Sequence, residues 1–285
     1  MKRFFFLLLL FLPVLSAKAG KIVTDSLSSK ILNAEVKFNV YLPSGFEQSD
    51  KSYPIVYLLH GLGGKYSSWA EKGAVKAIAD ELIASGEAVK MIIVMPNAGG
   101  PVKDDIWNGY FNMPGWNYED FFFQEFMPAV EKKYRAIGDK GHRAVMGLSM
   151  GGGGSTVYCQ RHPDLFSSCY AMSAWLDNDD SHPVKMNAKK KDKRYYAAKS
   201  VREHSALDFI DQADEATIAS LRTVKWFIDC GDDDFVLEHS FQLHMKMKAA
   251  KVKSELRVRN GVHNWEYWHN ALRQALPFAS RSFDK

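Results

Sequence analysis

The chain has 285 residues, 46% of them hydrophobic and 25% charged, which supplies a sizeable core and excludes the polar bias of a disordered protein. Its 37 basic and 33 acidic side chains give a formal charge of +4. Setting aside Lys2, Arg3 and Lys18 leaves 34 against 33, or +1, so net charge gives no ground for nucleic-acid binding.

Residues 1–19 read as an export signal. Lys2 and Arg3 precede an apolar run from Phe4 to Leu15, and Ala17-Lys18-Ala19 sets cleavage before Gly20. The run is short for a membrane span, so a secreted or periplasmic protein without stable membrane insertion is expected. Residues 20–285 need only one domain.

Within it, Ala34 to Tyr41 alternates as an antiparallel strand. Tyr53 to Leu59 and Met91 to Met95 are continuous apolar runs, as in central strands covered on both faces. Trp69 to Ser85 has helical spacing, and Tyr118 to Tyr134 reads as a helix crossed by Pro128. Ala144 to Met146, Ser168 to Met172, Val224 to Asp229 and Glu255 to Val258 are the later strands. Helices are expected from Met150 to Arg161, over Glu238 to Ala250 and over Trp265 to Leu276. Alternating strands and helices predict an α/β fold with a mostly parallel sheet and helices on both faces. One Lys-rich excursion, at about 177–204, breaks the rhythm; it opens on Asp177, Asp179 and Asp180 and carries Lys189, Lys190 and Lys191, with a short helix expected from Tyr195. Cys159, Cys169 and Cys230 lie in or beside apolar segments and do not make a disulfide framework, so buried free thiols are expected.

The chemistry concentrates at Gly147-Leu-Ser149-Met-Gly151, where a short apolar strand runs into a helix. A serine on such a cramped turn is lifted above the sheet, and side chains at 147 and 151 would strike neighbouring backbone. Ser149 is therefore the expected nucleophile. The Gly-rich loop His60-Gly-Leu-Gly-Gly64 follows the first central strand, and the Leu62 and Met150 N–H groups are the expected oxyanion hole. His60 is expected to be structural, because this architecture orders its set as serine, acid, histidine. Asp234, with Asp233 as second choice, follows the strand ending at Asp229; His263 follows the last strand and is the expected base.

Trp107, Tyr110 and Trp116 cluster after the Met91 to Met95 strand, on the side where α/β sheets bind ligands, and are expected to line a substrate cleft unless they pack the loop against the core. No cofactor is implied. Neither acidic run has the glycine and distal glutamate of a calcium loop, so no metal is expected. The partner is a small or carbohydrate-linked ester rather than nucleic acid; the sequence leaves the oligomeric state open.

Taken together, the Tyr57 to Gly64 loop, Gly147 to Gly152, His162-Pro-Asp-Leu-Phe166, Cys230 to Phe235 and Gly261-Val-His-Asn-Trp265 resemble the esterase D branch of the α/β-hydrolases, over roughly Glu35 to Phe278. That group includes S-formylglutathione hydrolases, tributyrin esterases, feruloyl esterases and the mycolyltransferase antigens. The resemblance implies an α/β-hydrolase fold and a serine carboxylesterase. Its Gly-x-x-Asp acid matches Gly231 to Asp234, favouring Asp234 over Asp233, and its base matches His263. Relatives often have Ser-Gly where this chain has Ser173-Ala174. Export argues against a cytosolic thioester and points to feruloyl or short-acyl (acetyl) esters of plant carbohydrates. The alternatives are an acyltransferase of the mycolyltransferase type, a general tributyrin-type esterase and a non-catalytic carbohydrate-binding relative.

Overall fold

The computed structural model describes residues 19–99, 110–179, 184–186 and 193–284. An eight-stranded sheet runs in the order β1-β2-β4-β3-β7-β8-β9-β10. Its strands are β1 (Lys21–Ser29), β2 (Ala34–Leu42), β3 (Ile55–Leu59), β4 (Ile92–Pro96), β7 (Arg143–Leu148), β8 (Ser168–Met172), β9 (Lys225–Gly231) and β10 (Ser254–Arg259). From β4 to β10 neighbouring strands are parallel; β2 pairs antiparallel with β4, and β1 with β2. A separate hairpin joins β5 (Asn112–Met113) to β6 (Trp116–Asn117).

The continuous apolar runs are the buried middle of the sheet. Every residue of β3, β4, β7 and β8 is buried, and successive side chains alternate between two cores. Ile55, Tyr57 and Leu59 face one core with Phe122, Phe126 and Tyr158. Val56 and Leu58 face the other with α2 (Val75–Ala84) and α10 (Trp265–Ser282). Each such buried side chain contributes about 1.5–3 kcal/mol. The mostly parallel sheet with helices on both faces is thus the expected architecture.

Four local features depart from the sequence pattern. The edge strand β1 has no apolar pattern, because its sequence Lys-Ile-Val-Thr-Asp-Ser-Leu-Ser-Ser is largely polar and only its last residue is buried. The helix expected over 69–85 is broken into α1 (Ser68–Glu71) and α2, with Ala74 left-handed at φ 50° between them. The helix expected over 118–134 is composite: α3 (Tyr118–Phe121) widens into a π-turn over Phe122–Phe126 before α4 (Met127–Lys133). Pro128 lacks an N–H and crowds the preceding turn, and it falls at the start of α4, directly after that wider turn. The last helix continues through Pro277 to Ser282 rather than stopping at Leu276.

α5 (Met150–Arg161) follows β7, and α9 (Leu237–Ala249) follows β9. Between β8 and β9 stand α6 (Lys193–Glu203), α7 (Ala206–Gln212) and α8 (Glu215–Leu221). At the base of the excursion, Arg202 donates to both oxygens of the buried Asp177 at 2.9 and 2.7 Å. Asp180 and Lys189 to Lys191 lie outside the described residues. Cys159, Cys169 and Cys230 are free of disulfides and buried.

Candidate active site

At the carboxyl end of β7 the chain turns sharply into α5. Ser149 occupies that turn with φ 54° and ψ −119°, a conformation a non-glycine residue adopts only when its surroundings impose it. Its N–H donates to the Met172 carbonyl at 2.9 Å, and its own carbonyl accepts from Gly153 and Trp175. Glycine at 151 is required here, since a Cβ would lie 2.6 Å from the backbone oxygens of both Leu59 and His60. The end of β3 and the start of α5 therefore touch, which brings the 60–64 loop beside the serine.

The residues expected as base and acid arrive from two other strand ends. The loop after β9 carries Asp234, and the loop before α10 carries His263. These loops are tied together: the Asp232 N–H donates to the Arg259 carbonyl (2.9 Å), the Asp233 N–H to the Gly261 carbonyl (3.1 Å), and the Gly261 N–H to Asp232 Oδ1 (2.8 Å). Asp232 and Asp233 thus serve the loop contact. Asp229, at 0% exposure, anchors the base of the arrangement by accepting from the Tyr170 and Tyr267 hydroxyls and from Arg259 at 2.6 Å.

His263 Nε2 lies 2.9 Å from Ser149 Oγ, and Nδ1 lies 2.9 Å from each oxygen of Asp234. A carboxylate only accepts, so Nδ1 carries the proton and Nε2 is left to accept from the serine. Burial opposes the charge on Asp234. The His263 bond and charge, the Val236 N–H at 3.1 Å and the Ser173 hydroxyl outweigh it, holding the carboxyl below its ordinary range. Such a chain can remove the hydroxyl proton as the oxygen attacks a carbonyl carbon. Among the described residues, neither the Leu62 nor the Met150 N–H has an acceptor, so both remain able to bind a developing oxyanion.

His60 takes a different place. Its ring is buried, Nε2 accepts from the Ala98 N–H at 3.0 Å, and Nδ1 lies 2.9 Å from the Gly61 carbonyl, so the ring splices the 60–64 loop to the chain after β4.

Ser149 and His263 line a cleft of about 470 Å³. Its apolar walls include Trp175, Trp265, Trp268 and Phe235, while Lys72 and Asn264 are polar. Phe235 stacks obliquely on the His263 ring at 4.4 Å, and Trp268 meets it edge-on at 5.0 Å. Two of the three aromatics expected here from sequence, Tyr110 and Trp116, are placed elsewhere. Tyr110 has 0% exposure and donates to the His60 carbonyl at 2.8 Å, while its own carbonyl accepts from Tyr158 at 2.6 Å. Trp116 is packed into the same core. Tyr110 thus supports the start of the 60–64 loop, while Trp116 serves the core; Trp107 lies outside the described residues. The cleft aromatics had a weak signal in sequence: Trp265 and Trp268 open the helix after His263, and Trp175 follows β8.

A family model described as "Putative esterase" matches residues 29–279. The chain belongs to this esterase family. Its members carry the α/β-hydrolase fold seen here, in the esterase D-like branch of serine hydrolases. The esterase superposes on a solved ferulic acid esterase with a TM-score of 0.88 at 50% identity, over 93% of this chain and 99% of that one. It shares the fold of a feruloyl esterase module from Clostridium thermocellum, with a TM-score of 0.68 at 22% identity over 94% and 90% of the two chains. Among curated proteins, an endo-1,4-beta-xylanase/feruloyl esterase of Xylanibacter ruminicola is 35% identical over 132 residues, 45% of this chain and 18% of that protein. The match to that curated relative therefore spans less than a fifth of its length. No helix among the described residues is long and apolar enough to cross a membrane.

Proposed function

We propose that this esterase hydrolyses acyl esters through a Ser149–His263–Asp234 triad, with feruloyl or short-acyl esters of plant carbohydrates as its substrates outside the cytoplasm. The observation that carries the reading is the unbroken set of 2.9 Å contacts from Ser149 Oγ through His263 to Asp234 at the edge of an aromatic-walled cleft.

In the acylation step His263 Nε2 takes the Ser149 proton as Oγ bonds to the ester carbonyl carbon. The carbonyl oxygen becomes an oxyanion facing the Leu62 and Met150 N–H groups. The imidazolium, steadied by Asp234, gives its proton to the alcohol oxygen as the carbon–oxygen bond breaks. Water then repeats the sequence on the acyl-enzyme: His263 takes its proton, the hydroxyl adds to the carbonyl, and Ser149 leaves as its own alcohol with the carboxylic acid released. Trp175, Trp265, Trp268 and Phe235 provide flat apolar surface suited to an aromatic acyl group. The likeness to the 50% identical ferulic acid esterase supports that acyl class.

Initial rates on methyl ferulate, acetylated xylan and short p-nitrophenyl esters test the substrate assignment. Preference for the ferulate or the acetylated polysaccharide is expected, and activity confined to glyceride esters overturns it. Transfer of the acyl group to a competing alcohol in preference to water would identify an acyltransferase instead.

A further inference from the structure

The peptide bond between Ala19 and Gly20 joins an exposed residue to a buried one. Gly20 is fitted closely into the fold: a Cβ there would lie 2.6 Å from the Tyr41 hydroxyl and 2.7 Å from the Leu42 carbonyl, so any side chain would displace β2. The Gly20 nitrogen donates to Asp80 Oδ1, on α2, at 2.7 Å. The same oxygen accepts from the Tyr41 hydroxyl at 2.8 Å, and Oδ2 accepts from the Lys76 ammonium at 2.7 Å. Burial opposes the charge on Asp80, but Lys76, Tyr41 and the Gly20 N–H outweigh it and hold the carboxyl below its ordinary range. None of these residues lines the cleft around Ser149.

We propose that Ala19–Gly20 is the maturation site and that the α-ammonium freed at Gly20 docks on Asp80, an ion pair that pins the edge strand β1 to α2. Its formation presupposes the export signal, not the triad. In the cleavage, water adds its hydroxyl to the Ala19 carbonyl carbon and a proton to the Gly20 nitrogen, and at neutral pH the proton of the new carboxyl makes that amine an ammonium. Two separate constraints meet at this bond. Ala17 and Ala19 supply the small residues that a signal peptidase reads, whereas Tyr41 and Leu42 demand glycine as the residue that follows. Cleavage then turns a neutral donor into a charged one on a carboxylate already in place, and charge-assisted bonds are roughly twice as strong. β1 has need of such a tie, since only its last residue is buried and its first, Lys21, pairs with Leu42 at the end of β2. A second carboxylate ties the far end, where Glu125 Oε1 accepts from the Lys30 and Ile31 N–H groups at 3.1 and 3.3 Å. The titratable groups around the new amine are Asp80 and Lys76 from α2 and Tyr41 from β2; the adjacent Lys21 is engaged by Glu47. Lys76 holds the other oxygen of Asp80, so the two cations do not compete for one acceptor.

The test starts from the full-length chain exported by a bacterial host. The intact mass of the released protein should place its first residue at Gly20. Its melting temperature between about pH 6 and pH 10 is then compared with that of a chain carrying one serine inserted between Ala19 and Gly20, whose cleavage after Ala19, checked by mass, leaves the amine one residue away from Asp80. Only the folded chain raises the α-amino group above its ordinary value of about 8, so the added stability is complete below that value and is lost as pH rises through the raised one. The unaltered protein should therefore melt about 2–3 °C above the insertion variant at pH 7, with the gap closing toward pH 10. In an Asp80→Asn background the same insertion should cost no more at pH 7 than at pH 10. A released protein that starts at Gly20 but shows no gap, or an equal gap at both pH values, overturns the ion pair alone. A first residue other than Gly20 overturns the maturation site, and a protein that keeps residues 1–19 overturns the export reading with it.

Discussion

Replacing His60 by glutamine changes how stability responds to pH, by an amount the structure sets. Burial pushes the imidazole from its ordinary 6.5 down to about 4, against a smaller opposing effect of the Gly61 carbonyl. The folded chain therefore keeps this ring neutral in a range where the unfolded chain protonates it. The resulting stability is complete above pH 6.5 and is lost as pH falls toward 4, a change of about 3 kcal/mol for a shift of that size. His204 and His244 are also held low by burial and lose stability in the same direction, so the difference between wild type and variant isolates His60. A glutamine amide still offers an acceptor to the Ala98 N–H and a donor to the Gly61 carbonyl, but does not titrate. Urea midpoints measured from pH 7.5 to 4.5 should show His60→Gln less stable at pH 7.5 by about 1–3 kcal/mol, from imperfect replacement of two buried hydrogen bonds. The deficit should shrink by about 2 kcal/mol by pH 5. Parallel stability curves for the two proteins would refute the buried neutral ring.

Two further perturbations address the site. In Asp234→Asn the shape is kept, but Val236 already donates to Oδ1, which turns the amide nitrogen to the other oxygen's position and favours the wrong His263 tautomer. A fall in kcat on the order of 10⁴-fold is expected with an unchanged circular dichroism spectrum, and a loss below about tenfold would remove Asp234 from its role. Trp265 lines the cleft and packs edge-on against Trp69 and Trp268, both at 5.3 Å. Trp265→Ala should raise KM for methyl ferulate about tenfold more than for p-nitrophenyl acetate, since an acetyl group has no ring to lose contact; equal changes would show that this wall does not read the acyl group.

Much of this arrangement is legible in the sequence because the physics is local. Fully buried parallel strands must be continuous apolar runs, so Ile55 to Leu59 and Ser168 to Met172 announce themselves. Glycine at 151 announces the crowded elbow, and Asp234 and His263 each follow a strand end. What escapes is set by packing between distant segments. Tyr110 and Trp116 lie in a segment whose composition suits a cleft wall, yet which side of such a segment faces solvent is decided by its neighbours, and here the core takes both rings. The buried hydrogen bond from Trp268 to Ser173 carries no signal at all, because it joins positions ninety-five apart. The β1 edge is hidden for the opposite reason: a strand that buries little needs little apolar sequence.

The most direct measurement is the site of covalent capture. Incubation with an alkyl fluorophosphonate, followed by peptide mass spectrometry, should place one stoichiometric adduct on Ser149 and silence ester hydrolysis in step with labelling. Ser149→Ala, folded by circular dichroism, should take no label and hydrolyse p-nitrophenyl acetate at the background rate. Labelling at another residue, or near-normal turnover by the folded variant, would contradict the account.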